Sequence, residues 1–420
     1  MTSHSIAVVP AGLEADADQI SFVWPRDGHT DANVISSLYW DLEEFAAASP
    51  AARDFYRIAA AAYLADSAVP KPAVSLHRQL RVTTFVEDPQ PWEAGALSDL
   101  ADLLHWLTGD SWTFSLKPED AGLPLQVAEP ADRIQLLSGG LDSLCGAVIG
   151  LRDKTSIRFI GHRDASRAVR HAQRLIDIAI EDAPYDRFEF FLRDTSRRKN
   201  HGPRSRSLMF MALGAMSAHS HGASTLWVPE NGFTSINPPL DAGRGGTLTT
   251  RSTHPYTFFL VGSLLESLGI DVEITNPFTS MTKGELVAAA LPDLAMPTFA
   301  DALKSSFSCA KGGTQFHGGD SNHNCGLCVA CVVRRGAFLG AGIQDPSEYD
   351  CELLDGSDLD GLLKQRWRDI VSLREAAEFG IPEELVLSSA RWPLDTDFAG
   401  VMDLVRRGLG EIGHVQLPSP

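Results

Sequence analysis

The sequence predicts an α/β protein built on a doubly wound parallel sheet, and three observations carry that expectation. From residue 132 onward, short runs rich in β-branched and aromatic residues alternate with apolar helical patterns, the order that yields a parallel sheet covered by helices on both faces. One such strand passes directly into a Gly-Gly turn and an apolar helix, IQLLSGGLDSLCGAVIGL at 134–151. Four of the six cysteines fall between Cys309 and Cys331, which marks a small metal-bound subdomain on that sheet. An α+β unit at 1–130 and a helical tail at 346–420 are expected to flank the core at 131–345.

In chain order, 5–9 is strand-like and 51–66 has a helical pattern. The alternating segments 79–86 and 111–116 are strand candidates around an apolar helix at 94–107. Asp99, Asp102 and His105 recur on that helix at three-residue steps, the pattern of a solvated face. The stretch 122–132, with Pro124 and Pro130, is the expected linker. Beyond it come strands at 134–137, 157–161, 188–192, 225–230 and 272–275. Helices are expected from Leu141, at 165–180, at 207–218 (apolar all round, hence buried) and at 255–268. Ligands of such sheets sit beyond the carboxyl ends of the strands.

A chain of 420 residues is long enough for two or three domains. Its net charge of −18 argues against a non-specific grip on DNA, RNA or anionic membrane. No apolar run approaches a membrane span, and MTSHSIAVVP lacks the features of a leader. A cytoplasmic protein with no DNA or membrane partner is expected.

The chemistry concentrates in a few places. In Ser138-Gly139-Gly140 the glycines let backbone N–H groups turn inward, and the helix that follows adds unpaired donors and a partial positive charge. Ser138 and Ser143 add hydroxyls, so the turn suits a polyphosphate. Asp142 is unsuited to a bare anion and implies Mg2+ or a bracing role. The spacing is not that of a Walker loop.

Thr282 and Glu285 fit a capping box. Lys283 opposes the helix dipole there, which implies an anionic partner. A basic segment holds Arg193, Arg197, Arg198, Lys199, Arg204 and Arg206. Arg206, beside the buried helix, is the strongest of these candidates for an anion. Cys309, Cys325, Cys328 and Cys331 have spacing suited to tetrahedral Zn2+, with a [4Fe–4S] cluster as the alternative. His317 and His323 are expected to be solvent-exposed, and Cys145 and Cys351 to be ordinary thiols.

SGGLDS at 138–143 is similar to the signature of the PP-loop ATP pyrophosphatases. Together with Arg206, VPENGF at 228–233, TNPFTSMTKGELV at 275–287 and CGLCVACVVRRGAF at 325–338, it resembles the 7-cyano-7-deazaguanine synthases, the QueC family, over 132–343. That resemblance implies an adenine nucleotide α-hydrolase-like fold. It also implies ATP-driven adenylation of 7-carboxy-7-deazaguanine, displacement of AMP by ammonia, and a structural zinc. By position, Ser138, Gly139, Gly140, Asp142 and Ser143 would hold pyrophosphate and Mg2+, and the four cysteines would hold Zn2+. Asp142, Ser143, Arg206 and Lys283 would carry catalysis, and Glu230 and Asn231 would face substrate.

The sequence also departs from the family. INPPLDAGRGGTLTTRSTHPY at 236–256 replaces the segment that frames the deazaguanine, leaving Arg251 and His254 as the nearest polar candidates. Ser207 stands where the family has Asn. With the added flanks, the composite resembles QueC-like proteins of the Qat anti-phage defence systems. That kinship implies partner proteins and a changed acceptor, such as a protein amine. Housekeeping queuosine-precursor synthesis and a non-catalytic nucleotide-binding scaffold are the alternative readings.

Overall fold

Two parallel sheets share one apolar core in the computed structural model, which describes residues 3–72, 77–123, 127–153, 155–163, 166–180, 183–194, 196, 200, 202–240, 250–311 and 314–418. Arg197, Arg198, Lys199 and Pro124 lie outside the described residues. The chain begins β1 (Ser3–Pro10), β2 (Ile20–Trp24), β3 (Val34–Ser36), α1 (Pro50–Ala68), β4 (Gln79–Val86), α2 (Leu97–Thr108) and β5 (Ser111–Pro118). Four of these strands form a sheet in the order β2-β1-β4-β5, and every pair is parallel. The α+β expectation for this region is therefore corrected to α/β. The helix-containing connections from β1 to β4 and from β4 to β5 are crossovers, which join parallel neighbours. Helix α2 starts at Leu97 rather than 94, because Gly95, at φ 154°, kinks the preceding turn.

The second sheet follows as β6 (Arg133–Leu136), α3 (Leu141–Leu151), β7 (Ile157–Arg163), α4 (Arg167–Ala179), β8 (Tyr185–Leu192), α5 (Arg206–Ser220), β9 (Thr225–Trp227), α6 (Gly232–Ile236), α7 (Pro255–Ser267) and β10 (Glu273–Thr275). Its order is β10-β9-β6-β7-β8-β3. The chain winds outward from β6 to β8, then returns to add β9 and β10 on the other side. This reversal opens a crevice at the carboxyl ends of β6 and β9. All pairs are parallel except the edge, where β3 from the leading residues runs antiparallel to β8.

Helix α1 is buried along almost its whole length because it lies between the sheets. Ser49 caps it by accepting from Ala52 N, and Pro50 opens it. On the far side of the contact, Phe190 of β8 meets Trp24 with ring centroids 4.7 Å apart and Tyr63 at 6.3 Å.

The chain closes with α8 (Lys283–Leu294), α9 (Pro297–Ser305), α10 (Val329–Gly340), α11 (Asp350–Leu353), α12 (Gly356–Phe379), α13 (Glu383–Ser388) and α14 (Phe398–Gly413). Helix α14 lies tight against α8 and α10. A Cβ at Gly336 would stand 2.7 Å from the Glu411 carbonyl oxygen, so only glycine permits that approach. Among the described residues no helix is long and apolar enough to cross a membrane.

Candidate functional site

The crevice at the strand ends opens into a cavity of about 1000 Å³. Ser138, Gly140 and Ser143 line one part of it, and Arg204, Arg206 and Glu230 line others. Gly139 sits at φ 94°, a left-handed conformation, and a Cβ there would stand 3.1 Å from Gln173 Cγ. The left-handed φ favours glycine, and a Cβ would also crowd Gln173. The turn is tied to itself: Gly140 N donates to Ser138 Oγ (3.3 Å), Ser138 Oγ to Ser143 Oγ (3.2 Å) and Ser143 Oγ to Gly140 O (2.9 Å). Gln173 of α4 fixes it from outside by donating to Ser138 O at 3.3 Å. Helix α3 has no side-chain cap, which leaves its first N–H groups available as donors for an anion beside Gly140 and Ser143 of the cavity lining.

Behind the turn lies a cluster of charged and polar side chains. Asp142 and Lys283 are both buried, and Lys283 Nζ donates to Asp142 Oδ2 at 2.5 Å. Asn231 Nδ2 donates to the same oxygen at 3.0 Å and approaches Glu230 Oε1 at 3.3 Å. Asn231 Oδ1 also caps α6, accepting from Thr234 N at 2.9 Å. Lys283 thus finds the anionic partner its position implied, and that partner belongs to the protein.

Burial works to neutralise Asp142, but the Lys283 ammonium and the surrounding donors hold its carboxyl below the usual range. Burial together with the charge of Asp142 pushes the Glu230 carboxyl well above its usual range. Burial disfavours charge on Lys283 as well, yet the two carboxyls keep it protonated. The cluster thus favours charge on Asp142 and Lys283 and disfavours it on Glu230. Asp142 Oδ1 is buried and receives no donor from a fixed N–H or hydroxyl.

Lys283 is held by what surrounds its helix. Thr282 and Glu285 form the expected capping box. From α14, Glu411 accepts from Gly284 N at 3.0 and 3.1 Å and from the Thr282 hydroxyl. A carboxylate at this helix start also offsets the lysine's conflict with the dipole.

Arg206 opens α5 and borders the cavity, its guanidinium 5.1 Å from the Phe210 ring centroid. Ser207 lines the cavity nearby, whereas Arg193 is exposed and does not. Arg251 and His254 also lie elsewhere. Arg251 stacks on Trp106 at 3.9 Å and donates to the carbonyls of Trp106 and Ser389. His254 caps α7 between Trp106 and Trp392, and burial, aided by Arg251, pushes it down to about 3. Both tie α2 to the tail. Their neighbours Thr250, Ser252 and Thr253 line the cavity instead.

The four cysteines converge. Their sulfurs lie within 4.8 Å of one another, with Cys328 to Cys331 at 3.4 Å, Cys325 to Cys331 at 3.8 Å and Cys309 to Cys328 at 3.9 Å. Four Zn–S bonds near 2.3 Å place sulfurs about 3.8 Å apart, so the set fits Zn2+. His323 is half-buried and stands 3.3 Å from Asp350 Oδ1, correcting the solvent-exposed expectation and leaving it outside the thiolate set. Cys309 also lines the cavity.

Sequence reasoning missed Tyr63 and Ser67, which α1 contributes to the cavity wall. Their apolar helical setting held no local signal. His162 was missed too; its Nε2 lies 2.9 Å from Phe190 O.

A scan against protein-family models gives no match. Individual relatives do match. A 7-cyano-7-deazaguanine synthase of Methanothermobacter thermautotrophicus is 30% identical over 244 residues, which span 51% of this chain and 98% of the relative. One from Methanothrix thermoacetophila is 25% identical over 243 residues, 51% of this chain and 96% of its own. A Rhizobium meliloti synthase is 40% identical over 81 residues, 19% of this chain and 28% of its own. Nearly the whole archaeal protein is thus matched within half of this chain, and the chain belongs to the 7-cyano-7-deazaguanine synthase family.

Proposed function

We propose that the protein uses ATP to adenylate a carboxylate on a 7-deazaguanine, with 7-carboxy-7-deazaguanine as substrate, and then passes the acyl group to an amine or ammonia. The observation that carries this reading is the Gly-Gly turn at the cavity floor with Asp142 and Lys283 paired behind it. The reading makes 131–345 the catalytic unit, with Tyr63 and Ser67 of 1–130 adding to the cavity wall and Glu411 of 346–420 bracing the start of α8.

The steps balance simply. A carboxylate oxygen attacks the α-phosphorus and the bond to pyrophosphate breaks. The amine nitrogen then attacks the acyl carbon and loses a proton, and AMP leaves with the carboxylate oxygen. N–H groups at Gly140 and the start of α3, with the hydroxyls of Ser138 and Ser143, stabilise charge growing on pyrophosphate. Arg206 adds a forked cation, and the cavity aligns carboxylate with phosphate. Mg2+ held by Asp142 and Glu230 would neutralise phosphate charge; the unfilled Asp142 Oδ1 supports that fit. Zn2+ on the four cysteines would fix the loop that carries Phe307, whose N–H donates to Gly139 O at 3.0 Å.

The resemblance to Qat-system proteins extends the proposal to anti-phage defence, with a partner-protein amine as acceptor. Supporting it is the half of the chain that lies outside the archaeal match. The test is to incubate the protein with ATP, 7-carboxy-7-deazaguanine and ammonium and to measure AMP and pyrophosphate. Acid-dependent AMP that disappears in D142A is expected; AMP no higher than the D142A background refutes the reading.

A further inference from the structure

We infer that Arg204 binds the carboxylate of the second substrate and that Asp66, on α1, is its positioning residue. This inference rests on the adenylation reading above and names the group that selects its acid.

Arg204 borders the cavity. Its guanidinium makes no ion pair or hydrogen bond among the described residues, whereas Arg53, Arg57 and Arg78 are all paired with carboxylates. A half-buried guanidinium at a cavity wall with no carboxylate in hydrogen-bond contact leaves its fork open to the carboxylate of a ligand. Burial lowers the Arg204 pKa, and Asp66 and Asp110 act only at a distance to offset that.

The backbone that presents Arg204 is fixed from the leading residues. Asp66 is fully buried, and its Oδ2 accepts from Ser205 N at 3.1 Å and Ser205 Oγ at 3.0 Å. Its Oδ1 accepts from Asn200 Nδ2 at 2.8 Å and from Arg78 at 2.5 Å. Asn200 N in turn donates to Ser67 O at 3.0 Å. The segment is thereby stapled to α1 on both sides of Arg204.

The surroundings define the ligand class. Tyr63, Phe210 and Met211 offer aromatic and apolar walls, and Ser67 offers a hydroxyl. A planar aromatic acid matches that combination: its ring meets the aromatic walls and its carboxylate meets the guanidinium fork. The phosphates of ATP already have the Gly-Gly turn and the start of α3.

Calorimetric titration of the full-length, zinc-loaded protein tests this with three probes: 7-carboxy-7-deazaguanine, its neutral carboxamide and a non-hydrolysable ATP analogue. R204Q is expected to weaken the carboxylate by about 10- to 150-fold while leaving carboxamide and nucleotide affinity unchanged. D66N should cause a smaller loss with the same selectivity. R204K, which keeps charge without the fork, should fall between wild type and R204Q and serves if R204Q does not fold. Parallel loss of the ATP analogue would make Arg204 a phosphate clamp and overturn the inference. So would equal loss of acid and amide, an unchanged acid affinity in R204Q, or no binding of the acid to wild type. Failure of wild type to bind the ATP analogue counts against the adenylation reading, and the ratio of acid to amide affinity still judges Arg204.

Discussion

Replacing Lys283 by methionine isolates the electrostatics of the site. The substitution keeps an unbranched side chain of similar length and removes the only ammonium within hydrogen-bond reach of Asp142 among the described residues. Breaking a buried pair by deleting one partner costs about 3–5 kcal/mol, because the remaining charge is left uncompensated. Unfolding entropy near 2.1 cal/mol/K per residue gives about 0.9 kcal/mol/K for 420 residues, so Tm falls by roughly 3–6 °C.

The loss should also depend on pH. Without Lys283, burial raises the Asp142 carboxyl, so protonation at pH 5 relieves part of the penalty and pH 8 exposes it fully. K283M/D142N leaves two neutral groups and should cost less than the two single substitutions combined. Differential scanning fluorimetry of the four proteins at both pH values reads the cycle. An unchanged Tm for K283M, or strict additivity in the double variant, would refute the buried-pair account.

Glu230 gives a second pH signature. Its carboxyl is raised in the folded state, so the stabilisation is full below the ordinary carboxylate range and is lost as pH rises toward the shifted value. E230Q should therefore lose less stability than wild type between pH 5 and pH 8, measured by urea midpoint; parallel curves would contradict this. E411A removes the acceptor at the start of α8 and should lower kcat for AMP formation through a displaced Lys283, with partial rescue in E411Q. Equal activity in all three proteins would show that α14 does not position the lysine. Mass spectrometry of metal content should find one zinc per chain, falling in C328S. Chelation should cost stability on the order of 10 kcal/mol, so a chelated protein that melts like the untreated one would rule out a structural metal.

What the sequence made legible was mostly local. The turn at 138–143, the capping box at Thr282 and the cysteine spacing each concern neighbours along the chain, and the structure shows all three. The parallel pairing of the first sheet was legible in principle, since β4 and β5 are separated by a helix rather than a tight turn. The three-residue β3 was too short to show a period, and its partner strand begins 149 positions after it ends. Long-range pairing hid the rest. Lys283 and Asp142 are 141 residues apart, so the sequence showed a misplaced cation without its partner. Arg251 and His254 lay near the right place in the chain, but Trp106 and Trp392 draw their side chains away from the cavity. Asp66 looks like any polar residue of an Ala-rich helix until Ser205 is found against it.

Isotope transfer tests the central claim most directly. The acid is prepared with 18O in both carboxylate oxygens and turned over once with ATP and an amine. If the carboxylate attacks the α-phosphorus, one labelled oxygen must appear in the phosphate of AMP. AMP without label, or label found in inorganic phosphate, would contradict adenylation.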